Sequence, residues 1–133
     1  MLGEFFSMRR ALAHNDIYWN NVAVHKVDGR SLCRVIDFKL MESNTIGADL
    51  HHFARHAQRR PEIRKFYDAL VSEAAISFNA TQQEIVFAST FYAAIRCVGR
   101  VRGRCRRAKD EAAQKEWLVC QELLSAAWQA YQG

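Results

Sequence analysis

The Asp28-Gly29 pair constrains the fold more strongly than any other feature of the sequence. An Asp-Gly pair between two apolar runs is a strong signal for a two-residue β-hairpin turn, and the flanking runs here are residues 21–26 and 32–38. A two-residue turn would place apolar residues opposite one another: Val22 opposite Val35, and Val24 opposite Cys33. These pairs form one continuous apolar side, so the register is self-consistent and the hairpin is predicted.

Most of the remaining chain is predicted to be helical. Short-range patterns predict one helix over residues 4–12, a loop over 39–47 and a second helix over 49–59. Three local signals set the later boundaries. Pro61 suits the first turn of a helix, Asn79 interrupts the pattern, and Thr81 with Glu84 forms a capping box that opens the next helix. A last helix is predicted from Asp110 onward.

Apolar spacing predicts which faces of these helices are buried. Four residues are expected on the buried side of the third long helix: Phe87, Phe91, Ile95 and Val98. A largely aromatic stripe on the last helix is also assigned to the core: Trp117, Cys120, Leu124, Trp128 and Tyr131. With half of the residues hydrophobic and only one proline, the chain is expected to form a single ordered domain over residues 1–133. The predicted class is α+β, predominantly α, with the hairpin packed on a helical bundle.

Charge and cysteine content indicate a cytoplasmic protein. Nineteen Lys and Arg against fourteen Asp and Glu leave a net charge of +5, which does not by itself imply nucleic acid. No apolar run approaches the ~20 residues needed to cross a bilayer, and residues 1–10 lack the order of a secretory signal. The four cysteines contain no C-x-x-C pair, so free thiols are expected.

Three polar side chains are predicted to converge at one end of the hairpin. In the predicted register Asp37 lies opposite Asn20, which brings the loop carrying Asp16 and Asn21 close to Asp37. Carboxylate and carboxamide oxygens suit Mg²⁺, which keeps water and phosphate oxygens in its shell. A remaining carboxylate can accept a proton from an attacking hydroxyl. Together they make up the components of a phosphoryl-transfer site; the simpler alternative is that these residues only form turns.

This ordered set of motifs resembles the catalytic and metal-binding segments of the kinase-like phosphotransferases, which include aminoglycoside phosphotransferases and choline kinases. The motifs are H-x-D-x-x-x-x-N at 14–21 and I-D-F at 36–38, separated by the hairpin. The doubled Asn20-Asn21 and Asp49-Leu50 are most similar to the ecdysteroid-kinase-like (CHK) branch. The resemblance spans residues 12–55 and implies the C-terminal lobe of a protein-kinase-like fold.

The resemblance also implies roles for individual residues. Asp16 and His14 would be the catalytic residues, Asp16 as the base toward the acceptor hydroxyl and His14 as a brace for the loop. Asn21 and Asp37 would hold Mg²⁺ against the phosphates of ATP, and Asp49 would fasten the loop to the following helix. For Asp49 the alternative is an ordinary helix cap or first-turn charge. The implied reaction transfers the γ-phosphoryl group of ATP to an alcohol group of a small molecule.

Some features of the family are missing from these residues. The six glycines form no G-x-G-x-x-G motif, and no lysine precedes His14 that could bind the α- and β-phosphates. Lys39 stands where many relatives have glycine. We therefore expect the C-terminal lobe of a longer enzyme, a truncated product or a degenerate relative, inactive alone and prone to self-association through apolar surface left exposed.

Two further clusters have competing interpretations. His52 and His56, with Asp49 one turn earlier, could form a zinc-binding face, but no third strong ligand is identifiable. The simpler interpretation is that His51-His52 is the flank of a helix. Residues 96–109 hold seven basic residues, of which Arg96, Arg100, Arg104 and Arg107 would share one helical stripe. That run is either a solvated helix end or a surface for phosphate or an acidic partner. Nucleic acid is a further candidate partner, although the lack of interleaved aromatic residues argues against binding of single strands. The rival function is a non-catalytic binding module that uses this basic helix.

Overall fold

The computed structural model describes residues 1–106 and 110–133. The elements in chain order are α1 (Leu2–Ser7), β1 (Arg10–Ala13), β2 (Val22–Val27), β3 (Arg30–Val35), β4 (Glu42–Thr45), α2 (His51–Ala57), α3 (Pro61–Phe78), α4 (Gln82–Cys105) and α5 (Asp110–Gln132). Short 3₁₀ turns occupy Trp19–Asn21, Phe38–Leu40 and Ala48–Leu50. The predicted class, α+β with mostly helix, is confirmed for the described residues.

The hairpin forms in the predicted register. β2 and β3 are antiparallel, with Val22 paired to Val35 and Val24 to Cys33. Both turn residues have positive φ, 50° at Asp28 and 75° at Gly29, as the tight primed turns of hairpins require. The ladder ends at the Val22–Val35 pair, so the predicted pairing of residue 37 with residue 20 does not form. One further bond extends the ribbon, because the Ile36 amide donates to the Asn21 carbonyl at 2.9 Å.

The prediction that the hairpin packs on the helical bundle is wrong for most of its length. Val24 is 67% exposed, and Val27 and Leu32 are exposed by 48% and 47%. Only the end of the ribbon next to the rest of the chain, at Val22, Ala23 and Val35, is partly buried. The ribbon therefore projects from the rest of the described structure. Its apolar side, which carries Val24 and Cys33, is uncovered.

A second pair of strands replaces two predicted elements. β1 pairs with β4 in an antiparallel ladder running from Arg10–Thr45 to Ala13–Glu42. The predicted helix over 4–12 is therefore wrong beyond Ser7, and the predicted loop over 39–47 contains β4. Leu12, the last residue of the predicted helix, is 70% exposed on β1. The ladder brings together the two ends of the segment formed by residues 14–41. This segment carries the hairpin and most of the candidate site.

The later helices begin and end close to the predicted signals. Pro61 is the first residue of α3, and Asn79 ends that helix in a left-handed conformation with φ 48°. At the start of α4 the Glu84 amide donates to Thr81 Oγ1 at 3.1 Å, and the Thr81 amide donates to Glu84 Oε2 at 2.7 Å. The predicted helix over 49–59 is shorter, because residues 48–50 form a 3₁₀ turn before α2 begins.

Small residues, not the predicted aromatic stripe, fill the contact between α4 and α5. Its buried cluster is Ala93, Ala94, Cys97, Val119, Cys120 and Leu123. Phe87, Phe91 and Cys120 are buried as predicted, and Leu124 of the predicted stripe is partly buried against this cluster. The remaining large residues assigned to the core lie at its edge, exposed as follows: Ile95 38%, Val98 49%, Trp117 46%, Trp128 45% and Tyr131 42%. Close approach of two helices favours small side chains at the centre, and this leaves the large ones at the margin.

Two sequence-based expectations concern the thiols and the membrane. The four cysteines are free, Cys97 and Cys120 buried and Cys33 and Cys105 exposed, as predicted. Within the described residues, no helix combines the length and apolar character that crossing a bilayer would require.

Candidate functional site

Asp49 holds the backbone of the loop that carries Asp16. Its Oδ2 accepts a hydrogen bond from the His14 amide at 3.0 Å, and its Oδ1 accepts one from the Asn15 amide at 2.6 Å. Asp49 lies in the 3₁₀ turn immediately before α2 and makes no side-chain cap to that helix. Two hydrogen bonds to an ionised carboxylate are among the stronger polar contacts in proteins. The loop is therefore fixed to the start of α2 at the two residues that precede Asp16.

A pair of buried asparagines ties the same loop to β4. Asn15 is 2% exposed and has φ 62°, a left-handed conformation that asparagine tolerates better than most residues. Its Oδ1 accepts from Asn44 Nδ2 at 2.6 Å, and its Nδ2 donates to the Leu40 carbonyl at 3.0 Å. Asn44 was missed by the sequence analysis, because its partner lies far away in the chain and the segment around it was assigned to a loop.

His14 connects the loop to the end of β3. The side chain is 5% exposed, and its Nε2 lies 2.9 Å from the Ile36 carbonyl oxygen. A carbonyl only accepts, so Nε2 is the donor, and the ring is held in that tautomer. The edge of the ring meets Phe38 with centroids 5.0 Å apart. These contacts bind the loop to the residues on either side of Asp37.

Asp16 and Asn21 meet directly. Asn21 Nδ2 donates to Asp16 Oδ2 and to the Asp16 carbonyl, both at 2.9 Å. The amide is thereby oriented with its nitrogen toward the carboxylate, which leaves Asn21 Oδ1 with no hydrogen bond in the described part of the chain. Asp16 is 31% exposed and so remains accessible from solvent.

His52 holds the other oxygen of Asp16, a contact that the sequence analysis missed. Its Nε2 lies 3.2 Å from Asp16 Oδ1, and Tyr18 packs on the imidazole with ring centroids 4.9 Å apart. Burial lowers the pKa of His52, and the hydrogen bond and charge of Asp16 oppose this shift only in part. The available signal was position, because His52 follows Asp49 by one helical turn and so faces the loop that Asp49 holds.

Asp37 lies at the same end of the hairpin with a cation already on it. It follows β3 in a left-handed conformation with φ 63°, and its Oδ2 lies 3.0 Å from Lys39 Nζ. The pKa of Lys39 is raised, chiefly by the hydrogen bond and charge of Asp37 and also by the charge of Asp16. The charge of the Lys39 ammonium group is therefore favoured by both carboxylates, but its only direct contact of the two is with Asp37.

The donor set at this end suits a hard cation with few protein ligands. Asn21 Oδ1 and the Asp37 carboxylate are oxygen donors of the kind that Mg²⁺ prefers. Over residues 1–106 and 110–133, no group of three or more His, Cys, Asp and Glu side chains is arranged to hold a metal ion. The zinc face considered for His52 and His56 is therefore not formed, and both oxygens of Asp49 are used by the loop amides.

Part of the basic run lies in the interior rather than in solvent. The Glu116 carboxylate on α5 is 4% exposed and receives Arg100 Nε at 2.6 Å and Arg55 Nη2 at 2.8 Å. Arg104 is more distant at 3.6 Å. Burial alone would raise the pKa of Glu116, but hydrogen bonds from Arg100 and Cys97 and the arginine charges lower it overall. The predicted stripe also included Arg107, which with Lys109 lies outside the described residues.

Comparison with protein-family models, curated proteins and solved structures gave no match. Functional inference therefore starts from the geometry of the site and the order of its motifs.

Proposed function

We propose that this chain is the catalytic-loop lobe of an ATP- and Mg²⁺-dependent kinase that phosphorylates an alcohol group of a small molecule. The observation that supports this best is the double hydrogen bond from the 14–15 backbone to Asp49. It fixes the loop so that Asp16 contacts Asn21 beside the strand that leads to Asp37. The motif order that resembles the kinase-like phosphotransferases is thus accompanied by a compact arrangement of the residues concerned.

Asp16 is suited to the role of general base. Both carboxylate oxygens are held, Oδ2 by Asn21 and Oδ1 by His52, yet the side chain is partly open to solvent. An acceptor hydroxyl that reaches this carboxylate could transfer its proton as the phosphoryl group arrives. Positioned proton transfer of this kind contributes ~10²–10⁴-fold to rate.

Asn21 and Asp37 are the residues that would hold Mg²⁺. The free Oδ1 of Asn21 and the Asp37 carboxylate supply the oxygen donors, and the Lys39 contact indicates that this carboxylate accommodates positive charge. A bound Mg²⁺ would neutralise charge on the transferring phosphates. Lys39 contacts Asp37 Oδ2 at 3.0 Å, so the metal would be held through Oδ1.

The finer fold assignment is part of the same proposal. The projecting hairpin and the helices that follow suit the C-terminal lobe of a kinase-like fold, in the cytoplasm. The uncovered apolar side at Val24 and Cys33 would then be covered by the nucleotide-binding lobe, or by self-association of the isolated chain. Without that lobe, ATP binding is expected to be weak and turnover slow or absent.

The rival function, a non-catalytic module that binds through its basic helix, has less support. Arg100 is committed to the buried Glu116 at 2.6 Å, so it is not available to a partner. The exposed cations in the described part of the basic run are Arg96 and Arg102 on α4 and Arg106 just after it.

Calorimetry of Mg·ATP binding tests the proposal on the chain itself. Wild type is compared with Asp37→Asn and with Asp28→Asn, a matched control at the tip of the same hairpin. We expect Mg²⁺-dependent binding that is lost in Asp37→Asn and kept in Asp28→Asn. Binding that is independent of Mg²⁺, or equally strong in both variants, would contradict the metal assignment.

A phosphotransfer assay tests the base. The chain is assayed with a panel of alcohols, both alone and within any longer in-frame protein that contains it. Asp16→Asn should abolish transfer while leaving Mg·ATP binding intact, because Asp16 is assigned to the acceptor proton. Transfer that survives Asp16→Asn would refute the role of this residue.

A further inference from the structure

We propose that His52 is a positioning residue for Asp16 and makes the site sensitive to pH. In its neutral form the imidazole donates from Nε2 to Asp16 Oδ1 and holds the carboxylate; once protonated, it forms an ion pair that withdraws the carboxylate from proton transfer. The catalytic part of this inference rests on the proposed function, whereas the pairing of the two side chains does not.

The first support is that the Asp16 carboxylate is held from two sides. Its Oδ1 lies 3.2 Å from His52 Nε2, and its Oδ2 receives Asn21 Nδ2 at 2.9 Å. A carboxylate with a partner on each oxygen is restrained in rotation, because turning it breaks both contacts. Removing His52 would leave only the Asn21 contact, which lies on the side assigned to the metal.

The second support is that His52 itself is fixed by its surroundings. The side chain is 18% exposed. Tyr18 packs against one part of the ring at 4.9 Å between centroids, and His51 lies against it at 4.1 Å. His52 is also on α2, immediately after the turn in which Asp49 holds the loop backbone. One short segment therefore fixes both the loop and the orientation of its carboxylate.

The third support is the balance of charge around the imidazole. Three elements contribute groups that contact His52 or act on its charge. These groups are Asp16 and Tyr18 from the loop, His51 and His56 from α2, and Arg96 and Arg100 from α4. Burial and the two arginines favour the neutral ring, and Asp16 favours the charged one. Together these contributions lower the pKa of His52 and so favour the neutral ring.

Nuclear magnetic resonance of the histidine rings tests the pair without any need for activity. Long-range ¹⁵N–¹H spectra are recorded through a pH titration of wild type, Asp16→Asn and the hairpin control Asp28→Asn. We expect Nε2 of His52 to carry the proton in the neutral ring. The pKa of His52 should fall in Asp16→Asn, which removes the charge that favours imidazolium, and stay unchanged in Asp28→Asn. The Nδ1–H tautomer, or a His52 pKa unaffected by Asp16→Asn, would overturn the proposal.

Kinetics then separate positioning from a general structural role. His52→Leu should lower kcat by about tenfold or more, as removal of an orienting partner commonly does, with KM for ATP unchanged. The side-chain amide of His52→Gln can donate to the same Asp16 oxygen, so this variant should recover most of the lost kcat. Because glutamine does not titrate, the acid limb of the plot of kcat against pH should also shift. Equal kcat in wild type and His52→Leu would overturn the catalytic part. Absence of phosphotransfer by wild type both alone and within a longer in-frame protein that contains it would refute the proposed function instead, and the NMR titration alone would then decide the pair.

Discussion

Replacing Glu116 by glutamine should destabilise this protein more than any other single loss of charge in the described residues. Glutamine keeps the shape of the side chain but removes the negative charge that faces Arg55 and Arg100. The Glu116 side chain is 4% exposed, whereas the side chains of Arg55 and Arg100 are 24% and 28% exposed. After the substitution, two partly buried cations would face each other across a neutral amide.

The expected size of the effect follows from this burial. Breaking a fully buried ion pair costs about 3–5 kcal/mol, because the remaining charge is left uncompensated. About a quarter of each arginine side chain is exposed to water, so we expect a loss of about 2–3 kcal/mol, at or below the lower end of that range. For a chain of this length, ~1 kcal/mol lowers Tm by about 3–5 °C. The predicted fall in Tm is therefore roughly 6–15 °C.

Urea denaturation followed by circular dichroism measures this loss, and Glu122→Gln is the matched control. Glu122 also receives an arginine, Arg59, at 2.9 and 3.0 Å, but both side chains are nearly half exposed. Exposed pairs contribute about 0–1 kcal/mol, so the control should lose little. If Glu116→Gln lost no more stability than Glu122→Gln, the idea that Glu116 compensates interior charge would be refuted. Because the pKa of Glu116 is lowered from 4.5 in the folded protein, its contribution to the stability of wild type is present above pH 4.5. That contribution should be lost as the pH falls from 4.5 through the lowered pKa.

Three further predictions follow from single contacts. Asp49→Asn leaves one loop amide without its acceptor, so stability should fall by about 1–3 kcal/mol, and hydrogen exchange at the two amides that Asp49 holds should quicken; unchanged exchange would contradict the assignment. Burial lowers the pKa of His51 to about 3, so the unfolded chain binds the extra proton between that value and 6.5. The free energy of unfolding should therefore fall on acidification over this interval by up to ~1.4 kcal/mol per pH unit. Denaturation midpoints measured against pH should show this contribution in wild type and lack it in His51→Gln. Gly47→Ala would place a Cβ 3.1 Å from a carbonyl oxygen at φ +85° and should cost about 2 kcal/mol. Gly99→Ala, with open space around it, should gain up to ~1 kcal/mol; thermal unfolding of the two variants in the same direction would refute this contrast.

The sequence could name most of the candidate site because its residues lie close to strong local signals. Asp16 and Asn21 fall in one short loop, and Asp37 follows the strand that the Asp28-Gly29 turn brings back to that loop. The structure places Asp16 against Asn21 and shows where Asp37 and Asp49 lie. The chemical roles of these residues remain predictions.

The residues that the sequence analysis missed make their contacts across long stretches of chain. His52 was considered only as a zinc ligand or part of a helix flank, although it holds Asp16 Oδ1 at 3.2 Å. Arg100 was grouped with a solvated basic stripe, although Glu116 holds it at 2.6 Å. In both cases the partner lies on another element of the fold. Helical periodicity does not predict that this element packs against the helix that carries His52 or Arg100.

Local chemistry determined the turn at Asp28-Gly29, the register of the hairpin, and the helix ends at Pro61, Asn79 and Thr81. Each of these depends on φ preferences or hydrogen bonds within a few residues, so the sequence alone is sufficient. Only the tertiary structure decided the β1–β4 ladder, the small-residue contact between α4 and α5, and the approach of His52 to Asp16. Those features depend on which distant segments pack together, and pairing across a long chain separation leaves no periodic signal in either segment.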